Sequence, residues 1–249
     1  MDHPTLTLHF KGDLKDFLKP GNHSSGRVIF PLDRKASIKD IIEGLGPPHV
    51  LVETITSDGR QVDFSHIPKP GEELAVFPVK APMDVFKPTL LRPNPLREIR
   101  FLADVNVGKL STLLRALGFD TLYERQMSDE QAAEKAAADK RIILTKDRNL
   151  LKRAIIEHAY LVRVENPQEQ LRNVLRFFNL RPPYAVFTRC LRCNTLLRPV
   201  EKSAIIHKLQ PLTIKYHHVF HICPDCERVY WPGSHHEQLL NRIKGLADF

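Results

Sequence analysis

Over the first eighty or so residues, apolar side chains recur at every second position in short runs. Thr5-Leu6-Thr7-Leu8-His9-Phe10 sets Leu6, Leu8 and Phe10 on one face of an extended segment, because successive strand side chains point to opposite sides. Gly26-Arg27-Val28-Ile29-Phe30, residues 52–55, Gln61-Val62-Asp63-Phe64 and Glu73-Leu74-Ala75-Val76-Phe77 read as further strands, with Asp58-Gly59 as a tight turn. Ser37-Ile38-Lys39-Asp40-Ile41-Ile42 breaks this rhythm and reads as a short helix capped by its serine.

The pattern then changes. From Pro78 through Pro82 and Pro88 to Arg92-Pro93-Asn94-Pro95, prolines exclude helix and central strand and favour an extended linker. Beyond it, short apolar runs alternate with helix-length segments. Arg100-Phe101-Leu102-Ala103-Asp104, residues 119–123, Arg141-Ile142-Ile143-Leu144-Thr145 and residues 160–164 read as strands. Helices are expected over residues 107–117, ending at Gly118, from Ser128-Asp129-Glu130-Gln131 to 138, over 149–158 and over 167–178. Right-handed crossovers make such a run a parallel sheet that binds ligands beyond the C-terminal ends of its strands.

The order of elements before the linker resembles the ubiquitin-like β-grasp fold, and Pro70-Gly71-Glu72-Glu73-Leu74-Ala75-Val76-Phe77-Pro78 looks like the closing strand of small sulfur carriers. Those carriers react through a free C-terminal carboxylate. Here the chain continues through Val79-Lys80-Ala81-Pro82, which excludes that chemistry and leaves a binding or positioning module.

Near the C-terminus, Cys190-Leu-Arg-Cys193 and Cys223-Pro-Asp-Cys226, 29 residues apart, use every cysteine of the chain. Two such pairs supply the four thiolates of a closed structural Zn²⁺ site, a zinc ribbon. Charge is uneven. Residues 1–98 carry 13 basic and 13 acidic side chains, whereas residues 99–249 carry 24 and 16, so the excess points the C-terminal part toward a polyanion. There is neither a basic-apolar leader nor a run of eighteen apolar residues, so the expectation is a soluble, cytoplasmic protein without a membrane partner.

Acids fall at the ligand-binding edge of the expected sheet. Asp104 ends its first strand, Asp147 follows its third, and Asp129 with Glu130 opens its second helix. Carboxylates converging there form a hard-oxygen site for Mg²⁺ or Mn²⁺, and such an ion activates water against a phosphodiester. Taken singly, each acid is equally explained as a helix cap or as a partner for a helix dipole.

The residues now carry a family resemblance. Phe101-Leu102-Ala103-Asp104-Val105, Leu117-Gly118-Phe119-Asp120-Thr121-Leu122-Tyr123, Ser128-Asp129-Glu130, residues 141–147, Arg189-Cys190-Leu191-Arg192-Cys193-Asn194 and Tyr230-Trp231-Pro232-Gly233-Ser234-His235 resemble the Mut-seven C-terminal RNase family. Asn106-Val107-Gly108 stands where members commonly have Met-Leu-Gly, and Lys146 where Arg is common. The resemblance implies an α/β architecture: a ubiquitin-like β-grasp domain over residues 1–80, a linker over 81–98, a PIN-like nuclease domain over 99–183, and a zinc ribbon with a C-terminal helix over 184–249. It also implies a metal-dependent ribonuclease in which Asp104, Asp129 and Asp147 bind the cation, with Glu130 beside them. Lys146, Arg148, Arg189, Arg192, Tyr230, Trp231 and His235 are the candidate contacts to RNA, structured or tRNA-like, since cations interleaved with aromatic faces suit single-stranded nucleic acid. The competing expectation is a non-catalytic RNA-binding adaptor whose β-grasp domain recruits a protein partner.

Overall fold

A computed structural model of the chain describes residues 4–233. The N-terminal alternation becomes a five-stranded sheet of β1 (Thr5–Phe10), β2 (Arg27–Pro31), β3 (Val52–Ser57), β4 (Arg60–Val62) and β5 (Glu73–Pro78), in the order β2-β1-β5-β3-β4. Only β1 and β5 pair in parallel. Leu6, Leu8, Phe10, Leu74 and Val76 bury one face of the central strands against Ile38, Ile41 and Ile42 of helix α1 (Ile38–Leu45). Ser37 Oγ caps that helix by accepting from the Asp40 N–H at 3.1 Å. Asp58 and Gly59 both adopt positive φ, as a two-residue hairpin turn between β3 and β4 requires. This is a ubiquitin-like β-grasp unit. A 3₁₀ turn, Gly12–Phe17, also follows β1.

The second unit is a parallel sheet of β6 (Arg100–Ala103), β7 (Asp120–Leu122), β8 (Ile142–Thr145) and β9 (Ala159–Leu161), ordered β7-β6-β8-β9. Both faces are covered. Phe101, Ile142 and Leu144 pack on Leu110 and Leu114 of α2 (Gly108–Ala116) and on Leu171 and Val174 of α4 (Pro167–Phe177). Leu102 and Ile143 face the other way, onto Ala132, Ala133 and Ala136 of α3 (Asp129–Asp139), whose small side chains let the helix lie close. The expected capping box of α3 is present: Ser128 and Gln131 bond each other's backbone N–H.

The helix expected over 149–158 does not form. Only one 3₁₀ turn, Leu150–Lys152, is present, followed by irregular chain. Leu150, Leu151 and Ile156 are all buried in one core, and positions so spaced cannot share a face of one continuous helix.

Residues 81–98 form no helix or strand, as their prolines demand, yet they are packed as a strap between the two units. Met83, Val85 and Leu96 enter the core of the parallel-sheet unit, and the Met83 N–H donates to Phe177 O at 2.7 Å. Leu91 enters the β-grasp core. Arg92, buried, donates from Nη2 to Val50 O and Val52 O, both at 2.8 Å, and its Nη1 pairs with Glu53 at 3.0 Å. Burial lowers the pKa of this guanidinium, and Glu53 opposes the shift.

The C-terminal part has a small antiparallel sheet, β10 (Arg198–Pro199), β11 (His221–Ile222) and β12 (Val229–Tyr230). Helices α5 (Lys202–Ile205) and α6 (Pro211–Tyr216) lie on the arm between β10 and β11. The helix expected near residues 239–246 lies outside the described residues. The chain that leads into this part meets the parallel-sheet unit where α2 ends. Gly118 has φ +93°, and a Cβ there would stand 2.3 Å from Ala185 O. Gly118→Ala therefore carries left-handed strain of about 1–2 kcal/mol plus that collision. Thermal unfolding should show Tm lowered by about 4 °C or more; an unchanged Tm would contradict this packing.

Candidate active edge and thiolate cluster

All four strands of the parallel sheet end at one edge, and the acids sit there. Asp104 directly follows β6 and is buried. Its Oδ1 accepts from the Val105 N–H, and its Oδ2 accepts from Asn106 Nδ2 and from the Thr145 hydroxyl, each at 2.6 Å. Thr145, the buried last residue of β8, in turn accepts at Oγ1 from the Asp147 N–H at 2.9 Å. Asn106 Oδ1 accepts from the Lys146 N–H at 3.1 Å, and Asp147 Oδ1 from the Asn149 N–H at 2.7 Å. The ends of two adjacent strands are thus cross-linked through Thr145 and Asn106, to neither of which the sequence assigned a role.

Asp129, half-buried, and Glu130, exposed, lie in the first turn of α3, beyond β7. Asp104, Asp129 and Asp147 do not bring their carboxylate oxygens all within 4.8 Å of one another. Lys146 Nζ donates to Glu165, so its charge is already answered. Arg148 is exposed, and its guanidinium stands 4.6 Å from the centroid of the Phe17 ring.

The cysteines do converge. Among the described residues, the Sγ atoms of Cys190, Cys193, Cys223 and Cys226 all lie within 4.8 Å of one another. Cys190 and Cys226 are 3.6 Å apart, beyond the ~2.05 Å of a disulfide and near the ~3.8 Å edge of a tetrahedron with ~2.3 Å Zn–S arms. The two turns are alike. Cys190 N–H donates to Thr195 O and Cys223 N–H to Arg228 O, while Asn194 and Glu227, each just after the second cysteine, take positive φ.

Electrostatics favour a bound cation. Burial raises the Cys190 thiol, but bonds from the Tyr230 hydroxyl and from the Cys193 and Arg192 N–H groups outweigh it and bring it down to about 7. Burial and the neighbouring Cys226 and Cys190 push Cys193 up to about 12. One thiolate forms readily and the next is opposed. Four together need a positive ion among them, and four soft sulfurs in this arrangement can bind zinc.

The first knuckle docks at the opposite edge of the sheet, where the strands begin. Buried Arg115 of α2 donates from Nε to Thr121 O at 2.8 Å and from Nη1 to Leu191 O at 3.1 Å and Arg192 O at 2.8 Å. Asn194 accepts from the Thr121 N–H at 3.0 Å and donates to Asp120 at 2.8 Å. Burial would raise the Asp120 pKa, but bonds from Arg141 and Asn194 and the charges of Arg141 and Arg189 hold it below the ordinary carboxylate range. Sequence reasoning missed Arg115 and this network.

Two of the expected RNA contacts make internal bonds here. Arg189 donates from Nε to Gly118 O and from Nη1 to Asn194 O, and its Nη2 faces Asp120 at 3.8 Å. The Tyr230 hydroxyl lies 3.1 Å from Cys190 Sγ and accepts from the Leu191 N–H at 3.0 Å. Arg192 is exposed, and Trp231 packs against Phe220 and His217. His235 lies outside the described residues.

A family model described as Mut7-C RNAse domain matches residues 99–243, and one described as Mut7-C ubiquitin matches residues 3–84. The chain belongs to the Mut7-C RNase family. The match takes in both the parallel sheet and the cysteine knuckles, so the two are parts of one Mut7-C RNase domain, and membership carries a nuclease-type function. Comparison with curated proteins and with solved structures returns no match. Among the described residues no helix is long and apolar enough to cross a membrane.

Purified protein is expected to hold about one zinc per chain by elemental analysis. Cys193→Ser should bring the content toward zero and strip hydrogen-exchange protection from residues 190–230 while sparing β1 and β5. Undiminished zinc in the variant would contradict the cluster's role.

Proposed function

We propose that the protein is a ribonuclease that hydrolyses phosphodiester bonds at the edge bearing Asp104, Asp129, Asp147 and Glu130, with a Mg²⁺ or Mn²⁺ ion held there. The observation that carries this reading is the Thr145 hydroxyl, which donates to the Asp104 carboxylate while accepting from the backbone N–H of Asp147, so that one group ties an oriented acid to the loop that carries the next. Oriented carboxylates backed by such partners are what a metal site needs, since outer-shell bonds fix its ligands. The donor set is hard oxygen, which suits these ions. An ion of this kind takes one or two carboxylates directly and keeps several waters, so the three acids need not all converge on it. Such an ion supplies water activation and charge neutralisation when bound.

The chain's own residues do the rest. Thr145 and Asn106 hold Asp104, Asn106 ties down the Lys146 backbone, and Arg148, next to Asp147 in the chain, offers an exposed cation. RNA is gripped elsewhere by the ribbon arm. Residues 202–224 contain three lysines, four histidines and no acid. Leu212 and Tyr216 stand 70% and 63% exposed on that arm, with Lys215 Nζ 5.2 Å from the Tyr216 ring centroid. A stacking face with a cation beside it takes unpaired bases without strong sequence preference.

One observation favours the adaptor reading: Asp104 also caps its own 3₁₀ turn through Val105, as a purely structural aspartate would. Cleavage assays separate the two. Labelled structured RNA with Mn²⁺ should be cut by the wild type, with activity lost more than about a hundredfold in Asp104→Asn and about 10- to 100-fold in Thr145→Val, the usual cost of removing an outer-shell partner. Cleavage that ignores both substitutions, or that proceeds without a divalent ion, would overturn the reading.

A further inference from the structure

The 3₁₀ turn Gly12–Phe17 belongs to the β-grasp unit in chain order but packs on the nuclease sheet. Phe17 is 7% exposed, in a cluster with Leu102, Ala133, Leu150 and Leu161. Two arginines from the acid-bearing edge lie over its ring, Arg148 at 4.6 Å and Arg163 at 5.3 Å from the centroid. Their electrostatic situations differ. Arg163 pairs with Asp13 at 2.7 Å and Asp16 at 3.7 Å, so β-grasp acids neutralise it. Arg148 makes no ion pair among the described residues and is the immediate chain neighbour of Asp147.

Other contacts keep this face in place. His49 bridges Glu43 Oε1 at 2.6 Å and Ile156 O at 2.8 Å, and Lys152 Nζ donates to Glu43 O at 2.8 Å. With the Arg92 strap, these bonds hold the β-grasp unit against this face of the sheet.

An exposed arginine spends most of its time in rotamers that miss any one target, and stacking on an aromatic face restricts it. We propose that Phe17 is a positioning residue: it holds the Arg148 guanidinium beside Asp147, where it takes a phosphate oxygen of the RNA strand being cut. The β-grasp domain thereby forms one wall of the substrate path. This inference rests on the ribonuclease reading. It assigns Arg148 to binding and Phe17 to binding through Arg148, and it makes Arg163, already neutralised, a structural partner.

The experiment uses the full chain and a fluorescent single-stranded RNA oligonucleotide. Phe17→Leu keeps an apolar side chain of similar bulk but removes the π face, and Phe17→Tyr keeps that face. Phe17→Leu is expected to raise KM about 3- to 10-fold with kcat within about twofold, corresponding to about 0.7–1.4 kcal/mol, and Phe17→Tyr to restore it. Arg148→Ala should raise KM as much, and the double variant no further, because both act through one contact. Anisotropy in an Asp104→Asn background should show the same 3- to 10-fold loss of affinity. Additive losses in the double variant, or unchanged affinity in Arg148→Ala, overturn the proposal, and the second criterion applies even if Phe17→Leu fails to fold. Absence of cleavage by the wild type would instead sink the ribonuclease reading, while the anisotropy comparison would still decide whether Phe17 positions Arg148 for RNA.

Discussion

In a parallel sheet covered on both faces, polar side chains reach partners and solvent only at the strand ends, so the chemistry of such a fold depends on what holds those ends. Here a threonine hydroxyl does so. Thr145 closes β8, donates to the Asp104 carboxylate at the end of β6 and accepts from the backbone that turns into Asp147. With Asn106 bonding both Asp104 and the Lys146 backbone, the loops after two neighbouring strands become one hydrogen-bonded unit. Neither loop could shift without leaving a polar group unpaired, a cost of about 1–3 kcal/mol for each buried group. Of the acids proposed to hold a cation, Asp104 and Asp147 therefore sit in a frame the fold already maintains.

The other parts of the chain secure opposite ends of that sheet. At the end where strands begin, Arg115, Asn194 and Asp120 tie the first cysteine knuckle to α2 and β7, so the thiolate cluster is anchored to the nuclease unit. At the acid-bearing end, the β-grasp turn carrying Phe17 lies under Arg148 and Arg163. Arg100 pairs in register with Asp120, and Asp104 lies four residues beyond it, so about 13 Å of strand separates the knuckle's anchor from the acids.

Local signals in the sequence were informative where local physics decides the outcome. Period-two alternation placed the β-grasp strands, because one face of each lies on a core and the other faces out. The Ser128–Gln131 capping box placed the start of α3. Two Cys-x-x-Cys turns announced their cluster because ligand spacing within a turn is set by covalent geometry. Failures occurred where distant contacts decide. Residues 149–158 have helical composition, but burying Leu150, Leu151 and Ile156 together required an irregular path. The proline-rich stretch correctly lacks regular structure, yet nothing local reveals that Arg92 would be buried against Val50 and Val52. Nor does anything local reveal the internal bonds that Arg189 and Tyr230 make. Their partners, Asp120, Gly118 and Cys190, lie up to about seventy residues away in the chain. Thr145 was passed over for the same reason, since its bond to Asp104 spans 41 residues.

The account stands on a cation held at the acidic edge and depends on the Asp104 carboxylate for it. Manganese binding to the zinc-loaded protein, followed by the loss of the free Mn²⁺ electron paramagnetic resonance signal, tests this without any substrate. The account predicts saturable binding in the wild type that Asp104→Asn weakens more than tenfold, with the variant's Tm and zinc content preserved. Equal Mn²⁺ binding by the two proteins, or none by either, would contradict it.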